Sequence, residues 1–556
     1  MITTTSLLLS ASALSGPRPA LTKPNIVLFF VDDLGYGDLG FTGHPSSRTP
    51  ALDRLAAEGK RLTSWYSAYP VCTSSRTALL TGRQPPRVGM PGVINSLSAA
   101  GLPLSERTLA NELQDRGYKT LALGKWHLGQ QPEYLPTARG FDAFLGLPFS
   151  VDDGEGYAPP CHNASGADDN NTTSSNLRLG PSIALPLIHQ DASMNSSRIV
   201  EQPTNLRLLT SRLVEMAKNF TSKHRAVPFF VYFAFGHVHT ATPNVDPASN
   251  PYNGKQYASC AFAGKSRRGL FGDALAEVDA AVETLVGREA GWMQSLGLQE
   301  NTLIIFTSDN GPSIRWGLAA GSPGIFTGQF ATFSNGTSYT NTAKGSTWEG
   351  GIRMPAFANM LGTILPNSAT AEVVSTMDVF PSLLRLIDGP SAPAPIAFDG
   401  KSSLYDLLFA PTGAKSAHAF LPFYNQPNIS EPATQIFAAR MGRYKVHWLT
   451  SPGLGGGRYA THAPHDRAPP NEVRAWDPPL IFDVEADPSE MLPLASADLP
   501  HNLLSALAAA KASYESHLAP RAIDPAFGFQ WALCCGVGCS APCKTCSCRD
   551  VPLPQP

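Results

Sequence analysis

Four stretches of the chain, residues 25–31, 120–123, 228–235 and 302–307, are nearly unbroken apolar runs. They lack the alternation of a strand with one wet face, so each predicts a parallel strand buried on both sides. Helical patterns with clear ends lie between them. Thr49-Pro50 cap and open A-L-D-R-L-A-A-E before Gly59, and Ser105 opens E-R-T-L-A-N-E-L-Q-D-R up to Gly117. Strands alternating with helices predict an α/β fold on a large mixed, mostly parallel sheet flanked by helices. After Pro355 the pattern weakens, and G-P-S-A-P-A-P-I at 389–396 reads as a surface connection to a smaller domain. There R-M-G-R-Y-K-V-H-W-L-T and P-P-L-I-F-D-V alternate like antiparallel strands, and residues 499–518 have helical spacing. Residues 152–200, rich in Gly, Ser and Asn, read as a long surface excursion.

Each strand runs directly into a polar cluster. Asp32-Asp33 come after the first, Gly124-Lys125-Trp126-His127 after the second, Gly236-His237-Val238-His239 after the third and Ser308-Asp309-Asn310-Gly311 after the fourth. Ligands of open α/β sheets bind beyond the carboxyl ends of the strands, so these clusters should converge on one crevice. Asp32, Asp33, Asp309 and Asn310 offer only oxygen, which suits calcium or, less well, magnesium, and not zinc. Cys72 lies in Y-P-V-C-T-S-S-R-T-A-L-L-T-G-R, where Ser74 or Ser75 is expected to cap a helix ending at Gly82. Cys72 would then stand just before a helix N-terminus that favours an anion, with Arg76 able to reach back toward it.

The 556 residues are 43% hydrophobic, and Lys+Arg 42 against Asp+Glu 44 leave a formal charge of -2. That is enough apolar material for a large core and no basic excess for nucleic acid. No apolar run approaches the roughly 20 residues of a transmembrane helix, so no transmembrane anchor is expected. Residues 1–20 read as a signal peptide lacking a basic start. Six of the nine cysteines (Cys534, Cys535, Cys539, Cys543, Cys546 and Cys548) crowd the end of the chain, while Cys161 and Cys260 stand alone. The tail has no His and no pair of C-x2-C knuckles, so disulfides are expected there rather than zinc. N-x-S/T sequons at Asn163, Asn171, Asn195, Asn219, Asn335 and Asn428 fit the same secretory pathway, ending in the lysosome or outside the cell. The expected divisions are 1–20 (signal), 22–395 (catalytic domain), 396–530 (smaller α+β domain) and 531–556 (cysteine-rich tail). Self-association into a homo-oligomer is compatible with all of this.

V-D-D-L-G-Y-G-D-L-G, C-T-S-S-R-T-A-L-L-T-G-R, G-K-W-H-L-G, G-H-V-H-T, T-S-D-N-G-P and K-G-S-T-W-E-G-G-I-R-M-P occur in the order found in type I, formylglycine-dependent sulfatases. The resemblance runs nearly end to end, through G-F-D-A-F-L-G-L-P-F-S and F-G-D-A-L-A-E-V-D-A-A-V to the cysteine-rich tail, and is greatest to the lysosomal arylsulfatases A and G. It implies an alkaline-phosphatase-like sulfatase fold and hydrolysis of sulfate esters, of sulfated sugars on glycolipids or polysaccharides, with aryl sulfates as surrogates. It implies that Cys72 is oxidised to formylglycine by the formylglycine-generating enzyme, and that the hydrated aldehyde is the nucleophile, stabilised by Arg76. Asp32, Asp33, Asp309 and Asn310, with the residue made from Cys72, match the calcium ligands. Lys125 and Lys344 match the lysines that hold the sulfate oxygens, His127 the histidine beside the nucleophile and His239 the one near the leaving oxygen. Ser150 matches a serine bonded within the same site.

A sulfate ester is a tetrahedral monoanion, and displacement at sulfur gathers negative charge on its oxygens; calcium, Lys125, Lys344 and Arg76 would meet that charge. An imidazole such as His127 suits the base that regenerates the aldehyde, and His239 or Lys344 the acid for the leaving oxygen. The family signature is Cys-x-Pro-x-Arg, and here Ser74 takes the place of proline, which puts the maturation of Cys72 in question. Two other readings stand beside this one. A phosphatase or phosphodiesterase of the same superfamily would normally use Ser or Thr and a zinc pair, and a non-catalytic binder of sulfated glycans would leave Cys72 as a thiol.

Overall fold

The computed structural model describes residues 23–159, 161, 183–241, 256–330, 341–390, 394–410, 413–425, 435–454, 473–518 and 533. The segment read as a signal, the cysteine-rich tail apart from Leu533, and the sequons at Asn163, Asn171, Asn335 and Asn428 lie outside the described residues.

Ten strands form one sheet: β1 (Asn25–Val31), β2 (Lys60–Leu62), β3 (Lys119–Lys125), β4 (Ala143–Leu147), β5 (Leu187–Asp191), β6 (Ser196–Glu201), β7 (Phe229–Ala234), β8 (Thr302–Ser308), β9 (Phe357–Asn359) and β10 (Ser368–Thr370). Their spatial order is β10-β2-β9-β8-β1-β7-β3-β4-β5-β6. The five central strands β8, β1, β7, β3 and β4 are mutually parallel. Antiparallel pairing enters only toward the two edges, at β9 and β2 on one side and at β5 and β6 on the other.

All four apolar runs are therefore central strands, as their unbroken burial requires. In β1, Ile26, Leu28 and Phe30 enter the core on one face, while Val27, Phe29 and Val31 enter a second core on the other. The first face is covered by α2 (Cys72–Thr81), α3 (Leu109–Asp115), α6 (Val379–Asp388) and α7 (Ser403–Phe409), the second by α1 (Pro50–Ala57), α4 (Leu206–Lys223) and α5 (Gly269–Val286). Further along the chain lies a sheet of four antiparallel strands: β11 (Leu421–Tyr424), β12 (Ile436–Met441), β13 (Tyr444–Thr450) and β14 (Arg474–Asp483). The helix α8 (Leu503–His517) packs Leu503 and Leu507 against it. No helix among the described residues is long and apolar enough to cross a membrane.

Three local expectations are corrected. The surface excursion expected over 152–200 includes, from residue 187, the edge strands β5 and β6, which extend the main sheet. Helix α3 is capped by Thr108, whose hydroxyl accepts the Asn111 N–H (3.2 Å) while its own N–H donates to Asn111 Oδ1 (3.0 Å); Ser105 lies outside the helix. Helix α2 begins at Cys72 itself, with Val71 as its cap, so neither Ser74 nor Ser75 is a cap.

Candidate active site

Each central strand delivers a polar residue at its carboxyl end. Beyond β1, the Asp32 N–H donates to the His237 carbonyl (2.9 Å) and the Val238 N–H to the Asp32 carbonyl (2.8 Å), which draws the segment bearing His239 alongside Asp32-Asp33. Asp33 is left-handed (φ 59°), and its N–H donates to Asp309 Oδ1 (3.1 Å) at the end of β8. Lys125 is the last residue of β3. His127 just beyond it is also left-handed (φ 59°), and its N–H donates to the Pro148 carbonyl (3.1 Å), which brings Ser150 in. Two non-glycine residues in this sparsely populated region, both facing one crevice, mark conformations that the surrounding structure enforces.

The side chains converge. Lys344 Nζ lies 3.2 Å from Cys72 Sγ, 2.7 Å from Asp33 Oδ1 and 3.1 Å from His239 Nε2. Lys125 Nζ lies 2.6 Å from Asp32 Oδ2 and 3.0 Å from Ser150 Oγ. Arg76 spans the site, donating from Nη2 to Asp309 Oδ2 (2.8 Å) and from Nη1 to the Lys125 carbonyl (2.9 Å). Asn310 Nδ2 donates to Asp33 Oδ1 (2.7 Å). The donor atoms of Asp32, Asp33, Cys72 and His239 all lie within 4.8 Å of one another. Every residue expected in the site from the sequence is present in this one crevice and buried. His237 points elsewhere, its ring 4.2 Å from that of Tyr257 and its Nε2 3.7 Å from Glu277 Oε2.

The same chain, compared with known proteins, matches the sulfatase family profile over residues 24–389 and the profile for the C-terminal region of aryl-sulfatase over 416–548. It is 38% identical to human arylsulfatase A over 98% of both chains. The chain belongs to the sulfatase family. It is also 33% identical to mouse steryl-sulfatase, over 92% of this chain and 85% of that one. Among solved structures, the PsFucS1 sulfatase from Pseudoalteromonas sp. superposes with a TM-score of 0.68 at 26% identity, covering 90% of this chain and 92% of that one. The fold is accordingly the alkaline-phosphatase-like sulfatase fold, and the protein is an enzyme that hydrolyses sulfate esters.

Burial and the neighbouring charges oppose one another in this sulfatase site. Burial alone would raise the pKa of Asp32, but Lys125, His239 and Arg76 outweigh it and hold the carboxyl well below its usual range. Burial, and then the neighbouring Asp32 charge, raises Asp309 instead. Burial pushes the Cys72 thiol far above the usual thiol range in spite of Lys125 and Lys344, so an unmodified Cys72 would hold no useful thiolate. Burial, reinforced by Lys125 and Arg76, keeps His127 neutral. Its Nε2 lies 2.6 Å from the Ile94 carbonyl, an atom that can only accept, so Nε2 carries the proton. The buried Nδ1 has no hydrogen-bond partner among the described residues and is left as the basic nitrogen.

The donor set fits a hard divalent cation. Asp32 and Asp309 share Arg76, Asp33 is bonded to both Asp309 and the Asn310 amide, and Asn310 Oδ1 is buried without a partner among the described residues.

Two acidic neighbours escaped sequence reading. Asp152 accepts from Ser150 Oγ and stands 3.8 Å from His239 Nδ1, and Asp153 Oδ2 stands 3.7 Å from His127 Nε2. The signal was available: a second Asp-Asp pair two residues beyond Ser150, like the pair at the end of β1.

Proposed function

We propose that this sulfatase acts through formylglycine made from Cys72 and a calcium ion held by Asp32, Asp33, Asp309 and Asn310, with sulfated sugars of glycolipids or polysaccharides as its substrate class. The observation that carries this reading is the position of Cys72 Sγ, 3.2 Å from the Lys344 ammonium and 3.5 Å from Asp32 Oδ1, on a thiol too buried to act as a thiolate. The hydrated aldehyde would supply the nucleophilic oxygen, and calcium would supply positive charge to the sulfate oxygens as charge develops on them. Lys125 and Lys344 hold the sulfate group and neutralise its oxygens. Arg76 stabilises the nucleophile from its own helix, and Ser150 orients the Lys125 ammonium. His127, neutral and bare at Nδ1, takes the proton that restores the aldehyde. The leaving oxygen is protonated from the His239–Lys344 pair, whose nitrogens are 3.1 Å apart.

Maturation by the formylglycine-generating enzyme places the protein in the secretory pathway, in the lysosome or outside the cell. The bridge between Cys161 and Cys260 supports an oxidising compartment. Mass spectrometry of the peptide 62–76 from protein made in a secretory host tests the central step. Formylglycine at residue 72, together with aryl sulfate turnover, is the expected result. Unmodified cysteine in a protein that still turns over aryl sulfate would overturn the reading.

A further inference from the structure

Ser74 stands at the signature position where related sulfatases carry proline, and its side chain is fully buried. It is the third residue of α2, in the first turn, where backbone N–H groups have no partner within the helix; the first helical bond runs from Ser75 N–H to the Val71 carbonyl. A proline is sterically and electronically acceptable there, so helix formation does not explain the serine. Its hydroxyl does something proline cannot. Ser74 Oγ lies 2.7 Å from the Met90 carbonyl and 2.8 Å from the Gly92 carbonyl. From the neighbouring position, Thr73 Oγ1 accepts the Ile94 N–H at 3.3 Å. The first turn of the helix that carries Cys72 thereby holds residues 90–94 through the one Ser74 hydroxyl proton, shared between two carbonyls, and through Thr73 Oγ1. The far end of that segment is the Ile94 carbonyl, which takes the ring N–H of His127 at 2.6 Å.

We propose that Ser74 is a positioning residue of this sulfatase: its hydroxyl fixes the 90–94 segment so that the Ile94 carbonyl holds His127 by its Nε2 proton and leaves the buried Nδ1 bare. Cys72 and its base are in this way tied to a single helical turn, Cys72 by the chain and His127 through Ser74, Thr73 and Ile94. The inference rests on the formylglycine reading for its catalytic consequence, but the tie itself exists whatever the state of residue 72.

The test uses the full chain made with the formylglycine-generating enzyme, as the parent and as Ser74→Ala, Ser74→Pro and Ser74→Thr. Conversion at residue 72 is measured by peptide mass spectrometry, and kcat and KM for a chromogenic aryl sulfate are normalised to the converted fraction. Ser74→Ala and Ser74→Pro should lower normalised kcat on the order of 10-fold, as loss of a supporting hydrogen bond typically does, with KM changed less than about twofold. Ser74→Thr, which keeps the hydroxyl, should retain at least about half of the parent kcat. Amide hydrogen exchange over residues 90–95 should quicken in Ser74→Ala and not in Ser74→Thr. Normalised kcat unchanged in both Ser74→Ala and Ser74→Pro, or a loss in Ser74→Thr equal to that in Ser74→Ala, overturns the proposal. So does unchanged exchange over 90–95, and that readout stands even if the parent carries no formylglycine, the outcome that would instead sink the nucleophile assignment.

Discussion

Arg76 Nη2 and Asp309 Oδ2 meet at 2.8 Å with neither side chain exposed to solvent. The pair ties the first helical turns of α2 to the end of β8, and Arg76 Nη1 adds a bond to the carbonyl at the end of β3. A buried pair broken on one side leaves the other charge stranded. Arg76→Ala should therefore destabilise the protein by about 3–5 kcal/mol in urea denaturation, most of it from the orphaned Asp309. Arg76→Lys keeps a charge but cannot make both bonds at once, and should fall between parent and Ala. Equal midpoints for parent and Arg76→Ala would refute the structural part of this assignment.

Lys344 and Ser150 should separate by magnitude. Lys344 brings an ammonium to 3.2 Å from Cys72 Sγ, so Lys344→Met removes a preorganised charge from the reacting centre and should lower kcat about 100- to 1000-fold. Ser150 contributes a neutral hydroxyl 3.0 Å from Lys125 Nζ, and Lys125 keeps its ion pair with Asp32 when it is gone. Ser150→Ala should cost only about fivefold. Steady-state kinetics on protein of equal formylglycine content ranks the two, and the reverse order would reassign the sulfate-holding role.

The central strands were legible in the sequence because burial on both faces leaves no room for polar residues, and the chemistry was legible because each strand ends in it. The edge strands were not. Leu-Ile-His-Gln-Asp and Ser-Ser-Arg-Ile-Val-Glu, β5 and β6, sit at the rim of the sheet and carry polar side chains that read as loop. β2, β9 and β10 have three residues each, too few to show any period. Ser74 misled for a different reason. Serine favours a cap by local propensity, whereas here its hydroxyl is engaged by carbonyls 16 and 18 residues away, and the helix starts earlier. Tertiary partners of that kind leave no trace in a local pattern, whereas Asp152 and Asp153 do show in the sequence, as an Asp-Asp pair just beyond Ser150.

Cys161 and Cys260 close a loop with a sequence separation of 99. Chain-entropy arguments give such a loop up to about 5 kcal/mol, and measured bridges usually give about 2–4 kcal/mol. The two segments are also clamped by Arg207, which donates from Nη1 to the Ala258 carbonyl (2.6 Å) and from Nε to the Pro159 carbonyl (2.8 Å). The folded arrangement should therefore survive without the bridge. The double variant Cys161→Ala/Cys260→Ala should lose about 2–4 kcal/mol of stability in denaturant while keeping most of its aryl sulfate kcat at room temperature. Loss of activity in a variant that remains folded would mean that the bridge shapes the site directly.

Two buried carboxyls subtract stability as the pH rises through the acid range. Asp279 is buried at the N-terminus of α1, accepting the Ala51 N–H (3.2 Å) and the Leu52 N–H (2.9 Å), and burial still pushes its pKa up to about 6 from an ordinary 3.8. Asp38, buried against Arg268, is likewise pushed up to about 6. Between about pH 4 and 6 the folded chain therefore holds protons that the unfolded chain has released, and stability falls as the pH rises through that window. Each of the two carboxyls is worth on the order of 3 kcal/mol over that window. Glu349 has the opposite sign. Burial opposes its ionisation, but Lys445 and Arg353 outweigh it and hold the carboxyl at about 2, so its contribution is complete above about pH 5 and is lost only as the pH falls toward 2. Calorimetry from about pH 3.5 to 8 on the parent and on Asp279→Asn isolates one of these carboxyls. Asp279→Asn keeps an acceptor for the helix N-terminus and removes the titration, so its Tm should exceed the parent's at about pH 7.5 and the gain should disappear by about pH 4. A gain that is absent at about pH 7.5, or that grows as the pH falls toward about 4, would contradict the sign assigned to this carboxyl.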